Sequence, residues 1–111
     1  MDVSGTQEQL RQFAKERDWE QYHSPKNLSM ALAVEAAELM EIFQWVSPEE
    51  SRNIAANPIK HAELQAELAD VLIYALRLAD VASIDPTVAI QEKLKSNAEK
   101  YPPGEKRSWS I

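Results

Sequence analysis

Three features of this 111-residue chain predict an all-α fold. It has 44% hydrophobic residues and only 2 glycines, so neither disorder nor a turn-rich β architecture is suggested. Its apolar residues recur at helical spacing, most clearly over 28–46, and fill the stretch 68–82 almost completely. Polar-cap-plus-proline pairs, Ser47-Pro48, Asn57-Pro58 and Asp85-Pro86, mark where helices restart. Four main helices and a short connecting one, closed into a bundle by oligomerisation, are the expected architecture. The whole of 1–111 reads as one domain, with 103–111 as a polar tail.

The first helix is expected from Gln7 to Arg17, opened by a Thr6/Gln9 capping box, with Leu10, Phe13 and Ala14 facing inward. An unusually aromatic loop, ERDWEQYHSP, follows. The second helix begins near Lys26 or Asn27 and runs to Val46, because Leu28, Leu32, Leu39, Ile42 and Val46 share one face. Ser47 then caps a short helix to about Ala56, whose first-turn acids Glu49 and Glu50 suit the positive helix end. Asn57-Pro58 opens the long third helix, to about Ala82, and Asp85-Pro86 the fourth, to about Lys100. Tyr101-Pro102-Pro103-Gly104 stops it, and Trp109 in the tail is either exposed or docked. A third helix that is apolar nearly all round needs cover on more than one side, so a homodimer or a larger symmetric assembly is expected, with a monomer of tightly wrapped core as the alternative.

Composition narrows the function. The net charge is −6, and no basic stripe runs along any helix, which argues against a nucleic-acid polymer as partner. Absence of cysteine excludes disulfides, thiolate metal sites and cysteine nucleophiles. Neither a membrane span nor a secretory leader is visible, so a cytoplasmic setting is expected. There is no glycine-rich phosphate loop and no recognisable nucleophilic triad.

The chemistry lies in two carboxylate pairs, Glu35-x-x-Glu38 and Glu67-x-x-Asp70, each interrupting apolar helical sequence. Acids three apart on a helix share a face. Four carboxylates brought together without water would repel and keep their protons, and a hard divalent cation removes that penalty. Solvated helix charge is the plainer reading for most glutamates, Glu41, Glu49, Glu50 and Glu63 among them. Two pairs in separate apolar runs favour a metal site between helices, which Glu41 and Glu63 lie near enough to support from outside. A metal-bound small anion then fits an acidic protein.

Other candidates surround that site. Lys93, Asn97 and Lys100 form one polar stripe on the fourth helix, either solvated or turned to phosphate and sugar. Arg77 is a phosphate contact or the buried partner of an acid. Trp19, Tyr22, Trp45 and Tyr74 are rings that either stack on a base or pack in the core. Glu20-x-x-His23 occurs once and is followed by Pro25, so a di-iron bundle is rejected; His23 contacts substrate or caps the loop, and His61 is a surface residue.

The carboxylate pairs, separated by 28 residues, together with ERDWEQYHSPKNL, ELMEIFQW, ELADVLIYALRLAD and KLKSNAEKYP, resemble the MazG-like all-α nucleoside triphosphate pyrophosphohydrolases, and within them the dCTP pyrophosphatase-like branch. The resemblance implies hydrolysis of a (deoxy)nucleoside triphosphate, dCTP or a modified dCTP, to monophosphate and pyrophosphate. It implies Mg²⁺, or Mn²⁺, on Glu35, Glu38, Glu67 and Asp70. Trp19, His23, Trp45 and Tyr74 would surround base and sugar, and Lys93, Asn97, Lys100 and Tyr101 would face phosphate or sugar. Glu38 is the preferred general base, with Glu35 or Glu41 as alternatives. A homodimer or homotetramer with sites drawing on more than one subunit is implied too. Where relatives often carry a Gly/Ser-Lys-Tyr-like element after the Tyr-Pro, this chain ends GEKRSWSI. A related enzyme acting on dUTP or phosphoribosyl-ATP, or a nucleotide-binding helical dimerisation module without turnover, are the alternative expectations.

Overall fold

Each long helix begins where a side chain can satisfy the first free backbone amides. In the computed structural model, which describes residues 1–104, α1 spans Val3–Glu16, α2 Pro25–Glu41, α3 Pro48–Ser51, α4 Pro58–Val81 and α5 Pro86–Lys100. Single 3₁₀ turns lie at Glu20–Tyr22 and Ile54–Ala56. No strand occurs among the described residues. The expected polar tail beyond Gly104, with Trp109, lies outside them.

Four helices start with proline in the first turn behind a polar cap. Ser24 Oγ accepts from the amide of Asn27 at 3.1 Å, Ser47 Oγ from Glu50 at 3.1 Å and Asn57 Oδ1 from Lys60 at 3.1 Å. Asp85 Oδ1 accepts from Thr87 and Val88 at 3.0 and 3.2 Å. Three expected boundaries are corrected, one being the connecting helix, which ends at Ser51 rather than near Ala56 and leaves Ile54–Ala56 as a separate 3₁₀ turn. The first helix begins at Val3 rather than Gln7, because Asp2 Oδ1 caps the Gly5 amide at 2.9 Å. Thr6 is already helical, its amide bonded to the Asp2 carbonyl, so the Thr6/Gln9 capping box does not form. The second helix ends at Glu41 rather than Val46. From Ile42 onward the chain tightens into i→i+3 turns, and the apolar side chains of Phe43 and Val46 line a depression with Pro48, Ile54 and Leu64 instead.

The packing frame is the α2–α4 pair, with α1 laid against α4. Leu28 of α2 and Ala14 of α1, each 1% exposed, are the enclosed apolar residues among those described. Buried Gln7 ties α1 to α4 by donating to the Leu76 carbonyl at 3.0 Å. Phe13, expected inside, is exposed; it sits beneath the Arg17 guanidinium, 3.5 Å from the ring centroid, and against Trp19. By contrast α5 makes only marginal backbone contact with the other elements. Large apolar side chains stay in solvent: Val34 on α2, Leu68 and Leu72 on α4, Ile90 and Leu94 on α5. The radius of gyration is 16.8 Å, where about 13 Å is usual for a compact chain of this length. The accessible surface, 8701 Å², exceeds the roughly 6,200 Å² typical of a compact monomer of this mass.

Candidate metal centre and nucleotide site

The carboxylates of Glu35, Glu38 and Glu67 converge across the α2–α4 interface. One oxygen from each lies within 4.8 Å of the others. Helical spacing of three sets Glu35 and Glu38 on one face of α2, and the tight α2–α4 packing turns that face toward Glu67. Oε2 of Glu35 and Oε2 of Glu67 are buried and have no hydrogen-bond partner. A buried carboxylate oxygen without a donor is costly, and it suits a cation. Burial pushes the Glu35 carboxyl up to about 7, with Glu38 and then the Asp70 charge adding to the shift. Glu67 is raised by burial and by the Glu38 charge. Asp70, one turn beyond Glu67, thus acts on both acids electrostatically while standing outside the three-residue cluster. No thiol or imidazole enters this set, and an all-carboxylate donor set fits a hard divalent cation such as Mg²⁺ or Mn²⁺.

Beside the cluster opens a depression of about 360 Å³ lined by Glu38, Glu41, Ile42, Lys60, Glu63 and Glu67. Glu41 and Glu63 are therefore near the cluster, as their positions suggested. Lys60, 3.8 Å from Glu63 Oε2, escaped the sequence reading. The missed signal was its spacing: Lys60, Glu63 and Glu67 fall at i, i+3 and i+7, on one face of α4.

A second assembly forms at the α1 C-terminus. The Asp18 amide donates to the Lys15 carbonyl at 3.1 Å and the Trp19 amide to Ala14 at 2.9 Å, closing a Schellman motif with Asp18 at φ 56°. That folds Trp19 back over Phe13, ring centroids 5.6 Å apart. The Trp19 and His23 rings lie 6.3 Å apart. His23 Nδ1 accepts from Arg77 Nε at 3.1 Å, and Arg77 Nη1 reaches Asp80 at 3.3 Å. Burial, and secondarily the Arg77 charge, lowers the His23 pKa. Arg77 is therefore the buried partner of an acid. It follows Asp70 by seven residues, about 10 Å along the same face of α4.

The remaining candidates are not gathered at the cluster within one chain. Trp45 lies in the turn after α2 and is 89% exposed; Tyr74 is half-buried on α4, one turn past Asp70. Tyr22 is exposed, and its carbonyl accepts from Asn27 Nδ2 at 2.9 Å. Lys93, Asn97 and Lys100 ride on α5, which ends at Tyr101, and the Lys100 ammonium lies 5.4 Å from that ring's centroid.

The model of the MazG-like family matches residues 30–110. The chain is 47% identical over 91 residues to dCTP pyrophosphatase 1 of Rattus norvegicus, covering 82% of this chain and 54% of that protein. It is 44% identical over 99 residues to dCTP pyrophosphatase 1 of Homo sapiens, covering 89% and 58%. It therefore spans little more than half the length of these relatives. The crystal structure of a pyrophosphatase from Archaeoglobus fulgidus superposes with a TM-score of 0.77 at 45% identity, covering 86% of this chain and 87% of that one.

Proposed function

The chain belongs to the MazG-like family, and from that premise we propose a Mg²⁺-dependent nucleoside triphosphate pyrophosphohydrolase. It releases pyrophosphate and the monophosphate from a deoxynucleoside triphosphate, with dCTP or a modified dCTP preferred. The base preference is supported by the names of the relatives and by the aromatic turn holding Trp19 and His23. One observation carries the reading: Glu35, Glu38 and Glu67 meet with two buried carboxylate oxygens that nothing else satisfies.

Glu35, Glu38, Glu67 and Asp70 would hold the cation, which supplies charge neutralisation and Lewis acidity toward the phosphates. Glu38, the exposed member of the cluster, faces the depression and takes the proton of the attacking water. Lys60, on the rim of the same depression, offers positive charge to the phosphates within one chain. Trp19, with Trp45 and Tyr74, supplies stacking surface for the base, and His23 a polar contact. Lys93, Asn97, Lys100 and Tyr101 reach phosphate or sugar from α5 of another copy, since α5 stands off from its own bundle.

The protein is accordingly proposed to work as a homodimer or homotetramer in the cytoplasm, with 1–111 forming one domain. The exposed apolar faces of α2, α4 and α5 and the excess surface support assembly. No helix among the described residues is long and apolar enough to cross a membrane.

Pyrophosphate release from a panel of canonical and 5-substituted dNTPs, with Mg²⁺ or with EDTA, tests the proposal. Mg²⁺-dependent dNMP and pyrophosphate, lost in Glu38→Gln, is the expected result. Binding without turnover in folded wild-type protein refutes it and leaves a nucleotide-binding module.

A further inference from the structure

His23 is held by a group that only donates. Arg77 Nε lies 3.1 Å from His23 Nδ1, and a guanidinium has no acceptor. Nδ1 is therefore the bare nitrogen, and the neutral ring carries its proton on Nε2. Arg77 has little freedom of its own. It is 8% exposed, and its Nη1 is bonded to Asp80 Oδ2 at 3.3 Å. Asp80 is clamped in turn by Arg11 of α1, through Nε at 2.8 Å and Nη2 at 3.2 Å. The chain Arg11–Asp80–Arg77–His23 thus fastens the aromatic turn to both α1 and α4.

We propose that Arg77 is a positioning residue that fixes His23 as the Nε2–H tautomer, so that His23 meets the nucleotide as a hydrogen-bond donor. The substrate atom it selects is an acceptor, a ring carbonyl or an unprotonated ring nitrogen of the base, and an amine at that position is rejected. This deepens the proposed function, resting on the placement of Trp19 and His23 against the base. The depressed His23 pKa agrees with it, because protonation at Nδ1 must break the bond from Arg77. Asp80 and Arg11 set the same geometry at one remove: they hold Arg77 and do not touch the ring.

Side-chain ¹⁵N–¹H correlation spectra of the full chain read the tautomer directly, and only two histidines contribute. His61 is exposed, and His61→Gln assigns its signals. The expected wild-type spectrum at pH 7.5, a condition chosen at about one unit above the ordinary histidine pKa, shows His23 protonated at Nε2 alone. Arg77→Met is expected to give a tautomer mixture, and Arg77→Lys, which keeps a cationic donor, to restore part of the preference. In turnover of dCTP, Arg77→Met should raise KM about tenfold or more with kcat much less affected, the loss expected of one oriented hydrogen bond. A wild-type signal from Nδ1–H, or an Arg77→Met spectrum and KM like wild type, overturns the proposal. Lost tautomer preference with unchanged KM also overturns it, because His23 is then no donor to the ligand. Absence of turnover in wild type counts against the pyrophosphohydrolase reading alone, and the tautomer is still decided by the spectra of the free protein.

Discussion

If the α2–α4 carboxylates hold the proposed cation, its binding must be pH-dependent, with a sign and size that follow from the structure. Without a cation, Glu35 holds its proton up to about pH 7, against an ordinary value of 4.5. A folded-state pKa above the unfolded one means the stability from this group is present at acid pH. It is lost as the pH rises from 4.5 through 7. Mg²⁺ reverses that sense, because it binds the ionised carboxylate and must displace the proton. For one proton of pKa about 7, apparent affinity strengthens about tenfold from pH 6 to pH 8 and then levels off. Binding releases about 0.9 proton at pH 6 and about 0.1 at pH 8 on the same arithmetic. Glu67, raised in the same direction, steepens the dependence. Isothermal titration calorimetry with Mg²⁺ at both pH values, each in two buffers of different ionisation enthalpy, measures affinity and proton release together. Thermal melts in EDTA should show the opposite trend, stability falling over the same window. Affinity independent of pH, with no proton released at pH 6, refutes the reasoning that these carboxylates are crowded, dry and waiting for a cation.

Three further outcomes are expected. Leu28→Ala, at an enclosed apolar side chain in the α2–α4 frame, should cost about 3 kcal/mol in chemical denaturation. Ser83 closes α4 at φ 58° with its amide on the Asp80 carbonyl, so Ser83→Gly should stabilise by about 0.5–1 kcal/mol, read as a rise in Tm. Val34→Glu places a charge on an exposed apolar patch of α2; if that patch is covered by another copy, light scattering will show the mass at least halved relative to wild type. A wild-type monomer in the same experiment refutes the assembly.

The helices were legible wherever local chemistry decides them. Asn57-Pro58 and Asp85-Pro86 open α4 and α5 at the expected positions, because a polar cap plus proline needs no tertiary help. The α2 terminus was misread for the converse reason. Ile42 and Val46 continue the helical period, yet Val46, with Phe43, serves a different surface, against α3 and the turn after it, and the backbone leaves the helix to reach it. Periodicity reports which side chains want burial, and says nothing of which element covers them. At α1 the Asp2 cap outcompeted Thr6, since Ser4 and Gly5 do not stop a helix already capped. The convergence of Glu35, Glu38 and Glu67 could be anticipated from two acid pairs, each interrupting an apolar run, whereas Asp70, expected with them, stands outside the three-residue cluster. The link from Arg77 to His23 spans 54 residues and leaves no local trace, so sequence offered only a choice of roles for each.

Trp19 is at once the closing residue of the α1 cap and the ring proposed to meet the base. Its position is therefore guaranteed by two backbone hydrogen bonds, Asp18 to Lys15 and Trp19 to Ala14. Opening the last turn of α1 withdraws the ring, so on the proposed role of Trp19 helix fraying and ligand release share one equilibrium. A bound nucleotide that stacks on Trp19 must slow solvent exchange of those two amides, although it touches neither. Fraying at this helix end thereby becomes a gauge of occupancy, readable at backbone atoms that take no part in the chemistry.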